Sequence, residues 1–155
     1  MKLLMAAMLV GACSKSRPID REPIRVTVNH VTMEVSAIRK SADVRAVIRI
    51  RLRNERVTPL TIRIEQLPWA FGNLSVRVRS GSVMPDYSFP FRLRGGEAVT
   101  SIQAGGEIEG EVNIQDYVLN VDQLMGEGPI AVEFDYVLRD ESGEIDRFRW
   151  NMILA

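Results

Sequence analysis

Val44-Arg45-Ala46-Val47-Ile48-Arg49-Ile50-Arg51-Leu52-Arg53 is the stretch that decides the fold. Successive side chains of an extended strand point to opposite faces, so Val44, Ala46, Ile48, Ile50 and Leu52 share one face and Arg45, Arg49, Arg51 and Arg53 the other. A strand with one apolar and one charged face belongs to an antiparallel sheet that buries one side and leaves the other in water.

The same period runs outward in both directions. Upstream, Ile24, Val26 and Val28 share a face, but Val31, Met33, Val35 and Ala37 are odd-numbered. The phase therefore slips, which predicts a bulge or strand break at Asn29-His30. Downstream, Asn54 to Pro59 reads as a turn; Leu60, Ile62 and Ile64 then alternate with polar residues, as do Leu74, Val76 and Val78. Ile108, Val112 and Ile114 alternate with Glu107, Glu109, Glu111 and Asn113. Gly110 falls in an inward position there, which predicts a bulge or a close approach of backbone. Ile130, Val132, Phe134, Tyr136 and Leu138 form the next strand, Asp140 to Gly143 a hairpin, and Phe148, Trp150, Met152 and Leu154 the last strand. A helical turn is expected only near Asp116 to Met125.

Strands separated by turn residues at this spacing predict an all-β sandwich or barrel. Seven or eight antiparallel strands in one domain, residues 24–155, resemble an immunoglobulin-like or fibronectin-III-like β-sandwich. The cysteine-tryptophan-cysteine core of antibody domains is absent, since Cys13 is the only cysteine.

Cys13 follows Lys2, the apolar run Leu3 to Val10 and the small residues Gly11 and Ala12. That order is a charged n-region, an h-region and a small-residue cleavage site. Eight apolar residues are too few for a helix to cross about 30 Å of hydrocarbon. Val10-Gly11-Ala12-Cys13 resembles the lipobox of bacterial lipoproteins. The resemblance implies that residues 1–12 are a signal peptide, that Cys13 becomes the acylated N-terminal residue, and that the protein faces the periplasm on a lipid anchor. Two or more acyl chains anchor stably where one is marginal. Ser14 after the cysteine implies the outer membrane by the best-studied sorting rules, while Lys15-Ser16 resembles a retention signal of other bacteria. Residues 13–23 read as lipidated cysteine and tether, spanning at most about 35 Å.

Positive and negative charges balance at 20 each, but unevenly along the chain. From Arg17 to Arg94 there are fifteen basic residues against seven acidic; from Gly95 onward there are three against thirteen. Such asymmetry suits either a polar partner or two halves that face each other. Arg49, Arg51 and Arg53 could hold phosphates or carboxylates. Pairing with Glu107, Glu109 and Glu111 accounts for them better, because it also explains the asymmetry. Seventeen arginines against three lysines reflect composition, and no nucleic-acid partner is expected.

Chemistry has little foothold. One histidine, His30, leaves no two-histidine metal site and no conventional triad, and it sits at the phase slip. Asp140-Glu141-Ser142-Gly143-Glu144 lacks the ligand spacing of a calcium loop and reads as a solvated hairpin tip. No enzyme, cofactor or metal is expected.

Two connections break the alternation with aromatics: Leu67-Pro68-Trp69-Ala70-Phe71 and Pro85-Asp86-Tyr87-Ser88-Phe89-Pro90-Phe91. They either plug the open end of the sandwich or bind a partner, since rigid aromatics on loops are the usual material of interface hot spots. Trp69, Phe71, Tyr87, Phe89 and Phe91 are the candidate partner-binding residues. The expected function is a lipid-anchored, non-catalytic protein-binding or assembly module, its partner an envelope or secreted protein. The alternative is an inhibitor or immunity lipoprotein that blocks a toxin or protease.

Overall fold

A computed structural model describes residues 22–39, 46–70, 72–88 and 96–155. Cys13, the signal segment, the tether as far as residue 21, Val44 and Arg45 lie outside the described residues. Among the described residues nine strands form: β1 (Ile24–Val28), β2 (Val31–Arg39), β3 (Ala46–Asn54), β4 (Leu60–Arg63), β5 (Leu74–Arg79), β6 (Val99–Ile102), β7 (Glu107–Asn113), β8 (Ile130–Arg139) and β9 (Ile145–Leu154). They build one sheet in the order β1-β2-β3-β7, a second in the order β5-β8-β9, and a two-stranded ribbon β4-β6. The protein is an all-β sandwich in which every strand pairing among the described residues is antiparallel. With β2 taken as the first strand, β2-β3-β7 against β5-β8-β9 follows the A-B-E against C-F-G winding of immunoglobulin-like sandwiches. The strand beyond the expected seven or eight is β6, which no alternation in the sequence marked and which pairs with β4 outside both sheets.

The phase slip at Asn29-His30 is a two-residue hairpin turn. Val28 pairs with Val31, and Asn29 and His30 take φ of 46° and 62°. Left-handed conformation at both positions matches the twist of the flanking strands, and asparagine and histidine tolerate it better than most residues.

Inward residues of both sheets form one buried cluster. Val31, Met33, Ile48, Ile50 and Leu52 come from the first sheet, and Val132, Phe134, Tyr136, Phe148 and Trp150 from the second. Phe134 and Trp150 are cross-strand partners stacked at 5.0 Å, and Tyr136 packs against Phe148 at 6.2 Å. Burial raises the pKa of the Tyr136 phenol, which stays protonated and donates to the Gln66 carbonyl at 2.8 Å. Ile64 departs from the expected pattern: a 3-10 turn at Ile64–Gln66 follows β4 at once and leaves it 48 % exposed. The helical turn is present as α1 (Val121–Gly126), preceded by a 3-10 turn at Ile114–Asp116.

Candidate functional site

The first aromatic connection leaves the 3-10 turn through Leu67 and returns to β5 at Leu74. Asn73 ties it down, donating from its side chain to the carbonyls of Glu65 at 2.6 Å and Leu67 at 2.9 Å. Trp69 is half-buried and lies flat on β7 at Gly110, where an added Cβ would come within 2.2 Å of the indole. Of the two expectations for Gly110, close backbone approach is the one observed. Its pairing with Ile50 is regular.

The second connection holds the free side of β5. The Tyr87 hydroxyl accepts from the Val78 amide at 2.9 Å and reaches the Val78 carbonyl at 3.4 Å. Phe71, Phe89 and Phe91 lie outside the described residues, so of the five candidate aromatics only Trp69 and Tyr87 can be placed.

Both connections converge on residues 114–120, between β7 and α1. The buried Tyr117 accepts from the Gly72 amide through its hydroxyl at 3.1 Å and from the Ser88 amide through its carbonyl at 2.9 Å. Leu119 donates its amide to the Asp86 carbonyl at 2.8 Å. Asn120 accepts from the Asp86 amide at 2.8 Å and donates to the Met84 carbonyl at 3.0 Å. Tyr87 makes an isolated bridge with Val118. Around this hydrogen-bonded junction Met84 (82 % exposed), Leu119 (54 %) and Tyr87 (39 %) each leave apolar surface in solvent. Sequence reasoning missed Met84, Leu119 and Tyr117. Only Leu119 carried a signal, as an apolar residue between Val118, which is buried, and the turn residue Asn120.

Two sets of charges elsewhere are engaged in structure. The arginine ladder pairs as expected: Arg49 with Glu111, Arg51 with Glu109 and Arg53 with Glu107 in register, with salt bridges of 3.2 Å for the first two. Its hydrogen bond to Glu109, with the charges of Glu107 and Glu34, raises the Arg51 pKa further. The acidic hairpin tip is not free: Arg56 reaches Asp140 at 2.9 Å, Glu144 at 2.7 Å and the buried Asp146 at 2.6 Å. Among the described residues no group of three or more histidine, cysteine or acidic side chains is placed to hold a metal ion. His30 is an exposed turn residue.

Comparison with protein-family models and with curated proteins finds no match to this chain.

Proposed function

We propose that the protein is a lipid-anchored module of the bacterial envelope that binds another protein through the end of the sandwich built by residues 67–70, 72–73, 84–88 and 114–120. One observation carries the reading: two connections are fastened to one segment distant in sequence, and Met84, Tyr87 and Leu119 are exposed at that junction. A rigid apolar patch loses little conformational entropy on binding, and large anchors on a fixed base suit a hot spot. Trp69 supports that end from beneath, through Gly110. The anchor is the acylated Cys13, on the strength of Val10-Gly11-Ala12-Cys13, and it holds the domain on the periplasmic side with no cofactor or catalytic role.

The test is capture from solubilised envelopes with the full-length chain and its Met84→Asp and Leu119→Asp variants. Both side chains are exposed, so unfolding midpoints should move by no more than about 0.5 kcal/mol, while capture of the parent's specific partner should be lost. Unchanged capture by both variants would refute the site. Palmitate labelling tests the anchor separately: the parent should be marked and Cys13→Ser should not.

A further inference from the structure

The outer faces of the two sheets differ in charge balance. On the first, Arg25, Arg49, Arg51 and Arg53 stand among Glu34, Glu107, Glu109 and Glu111, four against four, with salt bridges from Arg25, Arg49 and Arg51. On the second, the register sets Arg77 and Arg79 of β5, Arg139 of β8, and Arg147 and Arg149 of β9 around two carboxylates, Glu133 and Asp135. Both carboxylates are engaged. Arg79 holds Glu133 at 2.6 Å, and Arg147 and Arg149 share Asp135. Arg77 and Arg139 have no carboxylate within salt-bridge distance among the described residues.

This excess opposes the composition of its own part of the chain. The three basic residues after Gly95 are Arg139, Arg147 and Arg149, and all three fall on this face. The hairpin tip beyond Arg139 does not cancel them, because Asp140 and Glu144 are held by Arg56, while Glu141 shares its groove with Arg63 as well as Arg139. Two shallow grooves of about 340 and 360 Å³ cross the face, both lined by Ser75, Arg77, Asp135 and Arg147. On the same face Val137 and Ile145, beside the arginines, expose 36 % and 55 % of their surface, and Ile153 near the end of β9 exposes 47 %.

We infer that the outer face of β5-β8-β9 is a membrane-contact surface for anionic phospholipid headgroups. A guanidinium fork matches phosphate oxygens two at a time, and cations among exposed aliphatics suit the boundary between headgroups and acyl chains. A bilayer surface supplies the phosphates and the apolar boundary together, over a face three strands wide. The inference rests on the envelope reading only for the presence of a membrane, and it uses a different surface from the proposed protein-binding end.

The experiment uses the full chain carrying Cys13→Ser, which removes the acylation site, in co-sedimentation with vesicles of phosphatidylglycerol and phosphatidylcholine in equal parts. Pure phosphatidylcholine vesicles give the baseline set by the apolar N-terminal segment. Binding above that baseline should fall steeply with salt, and Arg77→Gln with Arg139→Gln should weaken it roughly 5-fold per arginine removed. Arg49→Gln with Arg53→Gln makes the same change in net charge on the other sheet and should leave binding within 2-fold or so of the parent. Equal loss in both pairs, no preference for anionic vesicles, or tighter binding to polyglutamate than to vesicles of equal charge would overturn the inference. Because Cys13→Ser carries no acyl group, failure of palmitate labelling in the parent would refute the anchor and leave this result standing.

Discussion

Arg56→Met should be the most damaging single change to a charged residue in the domain. The guanidinium is 13 % exposed and reaches Asp146, 1 % exposed, at 2.6 Å and Asp140, 7 % exposed, at 2.9 Å. Its Nε donates to the Asn29 carbonyl at 3.1 Å, so one side chain joins the β1–β2 turn, the β3–β4 connection and the β8–β9 hairpin. Methionine keeps the stem and removes the charge, leaving Asp146 buried with the Asn29 side-chain amide as its remaining side-chain partner, at 2.5 Å. Breaking a buried pair from one side costs about 3–5 kcal/mol, because the stranded charge keeps its desolvation penalty. Urea unfolding of the full-length chain should show that loss as a lower midpoint with an unchanged slope. Adding Asp146→Asn, which removes the stranded charge and keeps an acceptor for Asn29, should recover at least half of it. A single variant within about 1 kcal/mol of the parent, or a double variant no better than the single, would refute the reasoning.

Three further outcomes follow from the same geometry. Gly110→Ala drives a methyl into the Trp69 indole and should cost about 1–3 kcal/mol by chemical denaturation, a cost that shrinks when Trp69→Ala is present. Arg51→Ala and Glu109→Ala should couple by a few tenths of a kcal/mol in a double-mutant cycle, since the pair is exposed, and the coupling should fade in high salt. Acid should destabilise the fold through two carboxyls held below their usual range. Asp135 is lowered chiefly by hydrogen bonds from Arg147 and Arg149; for Asp140, burial acts upward but is outweighed by hydrogen bonds from Ser142, Glu144 and Arg56. Depressed carboxyls stabilise fully above the unfolded pKa of about 3.9, and that part is lost as pH falls through the lower folded value, so the unfolding midpoint should drop below about pH 4 and hold steady above pH 5. Asp135→Asn should flatten that drop.

Eight of the nine strands described are legible because every sheet keeps one face dry, and period two then leaves little freedom; β6, four residues long, shows no such alternation. The same phase held a signal that went unread. Asn54 continues the inward series Ala46 to Leu52, and Asp146 the inward series Phe148 to Leu154; both are polar residues at core positions, and both prove buried and bonded. A polar residue on an inward phase calls for a partner, which for Asp146 was Arg56 on a connection read only as a turn. Ile64 was misplaced for a local reason, since the 3-10 turn ends the alternation one residue early. The aromatic connections stood out because they broke the pattern. Their meeting at residues 114–120 did not, because it rests on hydrogen bonds from Tyr117 to partners 29 to 45 residues away and no period encodes such contacts.

The charge asymmetry of the two halves is a consequence of the winding. Strands β3 and β7 pair across the divide, as do β5 and β8, so arginines early in the chain meet carboxylates late in it. In the late half strand β9 departs from this, since it pairs with β8 from its own half. If cross-strand pairing alone governed the late half, Arg147 and Arg149 would each face a carboxylate of β8. Arg149 does, opposite Asp135, but Arg147 stands opposite Val137 and reaches the same Asp135 along the strand. Two guanidinium groups on one carboxylate leave a net positive charge that neutral pairing would have avoided, and Arg77 and Arg139 add to it on the same face. Stability does not require that surplus, because exposed pairs contribute little. It is therefore the outer face of the second sheet, and not the balanced ladder of the first, whose charge calls for an anionic partner.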